Sequence, residues 1–126
     1  MTKDAIRTAI VLLAFAAAAS AQTPAGVDFQ VNTYTTGYQS IPRLAMEPDG
    51  DFVVVWSSSD QDGDNYGAFG QRFAATGVPR GAEFQINTYT SSYQQFPSVA
   101  SDAEGDFVVA WQSFGSSGGD TSSDSV

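Results

Sequence analysis

Hydrophobic and polar positions alternate along this chain in short bursts, punctuated by Gly, Pro, Asp and Asn. Residues 51–57 (DFVVVWS) place Phe52, Val54 and Trp56 on one face and Val53 and Val55 on the other. Both faces are apolar, which predicts a strand buried on both sides and therefore central in its sheet. Pro48-Asp49-Gly50 precedes it, and the fixed φ of Pro with the permissive backbone of Gly suits a tight turn. That turn would join residues 42–47 to the central strand as a hairpin. Residues 67–73 (GAFGQRF) set Phe69 and Phe73 against the small Ala68 and Gly70, and Thr76-Gly77-Val78-Pro79 supplies the next turn. Residues 83–89 alternate Phe84, Ile86 and Thr88 with Gln85, Asn87 and Tyr89, as an outer strand with one wetter face would. The expectation is an all-β chain of four-stranded antiparallel meanders.

The same pattern occurs twice. At an offset of 55, FQVNTYT (29–35) aligns with FQINTYT (84–90) and GDFVVVW (50–56) with GDFVVAW (105–111), without a gap. Of the 33 aligned positions from Gly26 to Ser58, 18 are identical, including Tyr38/Tyr93, Gln39/Gln94, Pro42/Pro97 and Ala45/Ala100. Copies of this length, rich in short strands, are typical of propeller blades. The expected organisation is a leader over 1–21, a linker over 22–26, a first β-repeat over 27–81, a truncated second repeat over 82–114 and a low-complexity, disordered tail over 115–126 (GSSGGDTSSDSV). One meander with two apolar faces cannot stand alone, because each face needs a neighbouring sheet. A propeller needs about 4 to 8 blades to close, so about two incomplete blades point to a fragment of a longer array or to self-association through uncapped faces.

The first residues change the compartment. Lys3 and Arg7 precede an apolar run of 11 residues, 9–19 (AIVLLAFAAAA), followed by Ala19-Ser20-Ala21. This pattern predicts a secretory leader with cleavage after Ala21; a bilayer-spanning helix needs roughly 20 apolar residues. Cleavage leaves 3 basic and 13 acidic residues, a net charge of −10. Such a chain is a poor partner for nucleic acid or an anionic membrane. The sequence has no Cys and no His, which removes disulfides, thiol nucleophiles, thiolate zinc sites and imidazole bases. Export without cysteine fits a bacterial envelope or the medium.

Three groups could carry chemistry. Asp60, Asp62 and Asp64, in the loop Asp60-Gln61-Asp62-Gly63-Asp64, imitate the start of a calcium loop. The Gly falls at position 4 instead of 6, and Ala68 and Gln71 stand where later ligands belong. Calcium there is one reading, and a solvated hairpin loop the other. Glu47, Asp49 and Asp51, matched by Asp102, Glu104 and Asp106, offer the paired carboxylates of glycoside hydrolysis. Their place on a tight turn favours side chains that bond local amides instead. Tyr34, Tyr38, Tyr89 and Tyr93 could stack on sugar rings or pack over strand ends, and Arg72 is expected to pair with Glu83 or Asp28.

FQVNTYT, the P-x-x-A segment, GDFVVVW and GQRF-x-x-x-G together resemble repeat units of uncharacterised, secreted bacterial proteins with propeller-like β-repeats. Such units occur in large exported surface proteins, often calcium-associated. The resemblance covers about Gly26 to the C-terminus and implies an extracellular interaction or scaffolding module without a defined reaction. The sialidase Asp-box and the integrin-type FG-GAP blade fit less well, since Trp56 falls six residues after Gly50 and the acidic loop lacks the further Asp. The expected function is therefore a non-catalytic, exported β-repeat module for surface interaction, adhesion or scaffolding with an unidentified protein or carbohydrate partner. The alternative is a remnant of a secreted propeller-type hydrolase or carbohydrate-binding protein.

Overall fold

The structure is a computed structural model that describes residues 26–115. The expected leader over 1–21 and the tail beyond Gly115 lie outside the described residues. Within them the chain is all-β, without a helix: β1 (Gln39–Met46), β2 (Phe52–Ser59), β3 (Tyr66–Phe73), β4 (Phe84–Gln85), β5 (Gln94–Ser101) and β6 (Phe107–Ser113). The strands form two antiparallel sheets, a four-stranded meander β1-β2-β3-β4 and a hairpin β5-β6.

The run of apolar residues on both faces places β2 in the middle of the first sheet, with Val53, Val54, Val55 and Trp56 all buried. Cross-strand pairing sorts them. Phe52 faces Phe73, Val54 faces Gln71 and Trp56 faces Phe69, giving one bulky face whose core is Val54, Trp56, Phe69 and Phe73, with Val31 and Phe52 packed on it. On the other face Val53 pairs with Arg72, Val55 with Gly70 and Ser57 with Ala68. Over Val53, Val55, Ser57, Ala68 and Gly70 this face is flat, because those side chains are small. A Cβ on Gly70 would lie 2.8 Å from Cζ of Phe84, so the missing side chain is what lets the β4 ring cross the sheet.

The hairpin β5-β6 covers the flat face. β5 lies over β1 and β2 and reaches β3, and the backbone N–H of Phe96 donates to Ser57 Oγ at 3.1 Å. Phe107 meets Phe84 with ring centroids 6.1 Å apart, and the guanidinium carbon of Arg72, in the Val53 row, is 5.7 Å from the Phe107 centroid. Phe107, Val109 and Trp111 are partly buried, whereas Val108 and Ala110 on the opposite side of β6 are exposed. The bulky side of the second hairpin thus sits on the flat side of the first sheet.

The two hairpins share backbone detail. β1 and β5 each carry a bulge, between Ser40 and Arg43 and between Gln95 and Ser98. Each bulge holds a left-handed residue, Ile41 (φ 56°) and Phe96 (φ 57°), followed by Pro. A bulge tolerates a proline that would break a regular ladder. Gly50 and Gly105 take φ 92° and 91° in the turns that follow.

The expected outer strand is shorter than its alternation suggests, and its aligned counterpart in the first repeat is not a strand. Residues 83–89 supply only Phe84–Gln85, because the chain leaves the sheet at Asn87 and its side chain replaces the ladder. The Asn87 Oδ1 accepts the buried Ala68 N–H at 2.7 Å, and its Nδ2 donates to Asp62 and to the Tyr89 carbonyl. Residues 29–35 form no strand. They lie against the bulky face, Phe29 being 5.4 Å from Phe73 between centroids, with no partner strand beside them among the described residues. Asn87→Ala strands the Ala68 N–H in the interior and is expected to cost about 1–3 kcal/mol; a urea denaturation curve checks it.

Candidate functional site

The acidic turn between β1 and β2 gathers an oxygen from each of Glu47, Asp49 and Asp51 within 4.8 Å. Local bonds explain the gathering. Asp49 Oδ1 accepts the Asp51 N–H at 3.1 Å, and the Glu47 N–H donates to the Asp51 carbonyl at 2.8 Å. Asp51 is buried; its Oδ1 accepts the Ala75 N–H at 2.9 Å and its Oδ2 pairs with Arg80 at 2.6 Å. In the second turn Asp102 Oδ1 accepts the N–H groups of Glu104 and Asp106 at 3.0 and 2.9 Å. These carboxylates shape turns and hold the following loop, as Asx-type bonding does. Asp51→Ala removes the acceptor of the Ala75 amide and is expected to cost about 1–3 kcal/mol. Asp51→Asn keeps that acceptor and loses only the pair with the largely exposed Arg80, about 0–1 kcal/mol. Paired thermal melts separate the two.

Asp60, Asp62 and Asp64 are turned toward separate partners. Asp60 Oδ2 accepts the Ser59 hydroxyl at 2.6 Å. Asp62 Oδ2 accepts the Asn87 and Gln85 amides at 3.1 and 3.3 Å. Asp64 Oδ2 accepts the Ser92 N–H at 2.8 Å, and its Oδ1 accepts the Asn65 amide at 2.7 Å. The loop thereby ties the end of β2 to the segment that leads into β5. Among the described residues these three do not form a carboxylate trio of the kind seen at Glu47, Asp49 and Asp51. Because a ligand that binds only the native state raises the melting midpoint, and the three carboxylates face separate partners, millimolar calcium is expected to leave the midpoint unchanged; a rise that Asp60→Asn and Asp64→Asn abolish would show that the loop closes on the ion.

Among the candidate tyrosines Tyr93 makes ring contacts, and Arg72 finds partners within the chain. Tyr66 stacks with Tyr93 at 6.2 Å, and Tyr93 meets Phe114 edge-on at 6.2 Å, so these rings pack over strand ends. Tyr38 is exposed. Arg72 lies 4.0 Å from Glu47 and 3.4 Å from the Gly105 carbonyl, while the expected partner Glu83 instead accepts the Thr33 N–H at 2.6 Å and the Gln61 amide. Arg72 therefore bridges the first sheet and the second turn.

A cleft of about 330 Å³ opens where residues 29–32 cross the bulky face, with Trp56, Val54 and Pro42 on its floor and Asn32, Gln39 and Ser40 at its sides. The Trp56 Nε1 is buried without a partner. Nothing in the strand pattern pointed to it, since the cleft is made by a non-strand segment lying across a sheet. Beside it the bulky face exposes Leu44, Met46 and Phe29, and at the far side of the molecule the flat face of β6 exposes Val108. Asp49, Asp51, Asp62, Asp64 and Asp102 are thus engaged in shaping turns and joining segments, while apolar side chains stay exposed at the β1 edge of the bulky face and at Val108. A comparison with family models, curated proteins and solved structures finds no match. Among the described residues no helix is long and apolar enough to cross a membrane.

Proposed function

We propose that this chain is a non-catalytic, exported β-repeat module, part of a propeller-like array of 55-residue units, whose work is surface interaction, adhesion or scaffolding. The observation that carries the reading is the unlike pair of sheet faces, stacked once within the chain, with the flat face of the second hairpin open at Val108. A surface that is bulky on one side and flat on the other is built to be followed by another of its kind. Support for the repeat comes from the paired bulges at Ile41 and Phe96, the paired turns at Gly50 and Gly105, and the 18 identities in 33 aligned positions. Support for the propeller comes from β5, the first strand of its hairpin, lying over β1 and β2. The engagement of Asp51, Asp62, Asp64 and Asp102 in structural hydrogen bonds favours a role without turnover. Assays of the purified chain against glycoside, ester and peptide substrates test it. No turnover is expected, and activity that co-purifies with the chain would overturn the reading.

A further inference from the structure

One short sequence is found twice in different company. Residues 84–87 (FQIN) close the first sheet: Phe84 and Gln85 pair with Gly70 and Phe69 of β3, the Ile86 N–H donates to the Ala68 carbonyl at 2.8 Å, and Asn87 Oδ1 accepts the Ala68 N–H at 2.7 Å. Residues 29–32 (FQVN) hold the aligned positions of the first unit and are seated alike. Phe29 lies against Phe73 on the bulky face of the first sheet as Phe84 lies against Phe107 of the second hairpin. Asn32 Nδ2 donates to the Tyr34 carbonyl at 2.6 Å, just as Asn87 Nδ2 donates to that of Tyr89 at 3.0 Å. What differs is the outer side. Among the described residues, 29–32 pair with no strand, the bonds of the Asn32 side chain run from its Nδ2 and leave Oδ1 open, and Phe29 is 51% exposed.

The positions that β3 touches in the second unit are open in the first. β3 reaches β5, and its first residue, Tyr66, bridges to Tyr93 and stacks on it. The tyrosine aligned with Tyr93 is Tyr38, which is 76% exposed against 39%. Between 29–32 and β1, the counterpart of β5, lies the cleft of about 330 Å³ over Trp56 and Pro42. An unpaired outer segment, a cleft beside it and an uncovered tyrosine together trace the seat of one further strand.

We propose that residues 29–32 take up, by strand addition along this open edge, the third strand of another unit of the same repeat, carried on a separate polypeptide. The pairing copies that of 84–87: the glycine of the incoming strand lies under the Phe29 ring, its alanine amide donates to Asn32 Oδ1, and its tyrosine stacks on Tyr38. Glycine is required there, since a Cβ on Gly70 would lie 2.8 Å from the Phe84 ring. Main-chain bonds supply the affinity and the small alternate side chains the selectivity. A second copy of this chain is the poorer donor, because Gly-Ala-Phe-Gly occurs once in the sequence, at 67–70, and is already held between β2 and β4. The inference rests on the interaction-module reading and names its partner.

Titration of the purified full chain with a peptide of residues 64–75, kept soluble by terminal lysines and followed by amide NMR, tests it. Saturable shifts at Gln30, Val31, Asn32 and Tyr38, with slowed exchange of the Val31 amide, are expected. The same peptide carrying Gly70→Leu is expected to leave the spectrum unchanged, and Asn32→Ala in the chain to weaken binding about tenfold. An unchanged spectrum at the highest soluble peptide concentration, shifts confined to β6, equal binding by the Gly70→Leu peptide, or the same amides shifting with protein concentration alone, the mark of a second copy, would overturn the proposal. The wider reading falls on substrate turnover instead, so the two failures are told apart.

Discussion

Val53→Lys is expected to destabilise the chain by more than about 4 kcal/mol, whereas Val108→Lys, at the aligned position of the second hairpin, is expected to stay within about 0.5 kcal/mol of the parent. The two valines share their sequence surroundings, GDFVV in both cases, and differ in what lies over them: Val53 is 1% exposed under β5-β6, and Val108 is 69% exposed. A lysine ammonium in the Val53 row would be removed from water beside Arg72, whose guanidinium already lies against Phe107. No carboxylate faces it from that row. At position 108 the same ammonium stays solvated. Urea denaturation of both variants at low protein concentration, where association does not contribute, measures the contrast directly.

Phe73→Ala is expected to cost about 3–5 kcal/mol. Phe73 is 1% exposed and joins three parts of the fold: it pairs with Phe52 across the sheet, stacks on its ring at 5.1 Å and receives Phe29 at 5.4 Å. Its removal leaves a void that residues from β2, β3 and the 29–32 segment must line. Against a typical domain stability of about 5–15 kcal/mol, that loss places the variant near unfolding. The midpoint in urea should fall with little change in slope if the chain remains two-state. Phe29→Ala, at a half-exposed ring on the same cluster, should cost markedly less.

Much of the strand framework was legible because its signals are local. The apolar alternation of residues 51–57 marked β2 as central, and the observed strand, Phe52–Ser59, extends it only by polar serines. The small-against-large pattern of residues 67–73 assigned Phe69 and Phe73 to one face and Ala68 and Gly70 to the other, as observed. β1 starts earlier than the expected residue 42, since the bulge at Ile41 lets pairing continue past Pro42 to Gln39. The outer strand was overestimated because a side-chain amide, Asn87, can take the place of a backbone partner, and alternation does not reveal which will. The sites were harder to read. Asp60, Asp62 and Asp64 alternate in sequence, yet Asp60 turns to its neighbour Ser59 while Asp62 and Asp64 point to groups distant in the chain, and the Asp51–Arg80 pair depends on how the 74–79 turn folds back. The cleft above Trp56 arises where a non-strand segment crosses a sheet.

The most direct test of the stacked faces is a nuclear Overhauser spectrum of the folded chain, read at the Phe107 ring. Bulky-on-flat packing requires cross-peaks from Phe107 to the ring of Phe84, 6.1 Å away between centroids, and to the side chain of Arg72, whose guanidinium carbon is 5.7 Å from the ring centre. Cross-peaks within β1-β2 and β5-β6 without those two contacts, or contacts to the first sheet made by Val108 instead, would contradict it.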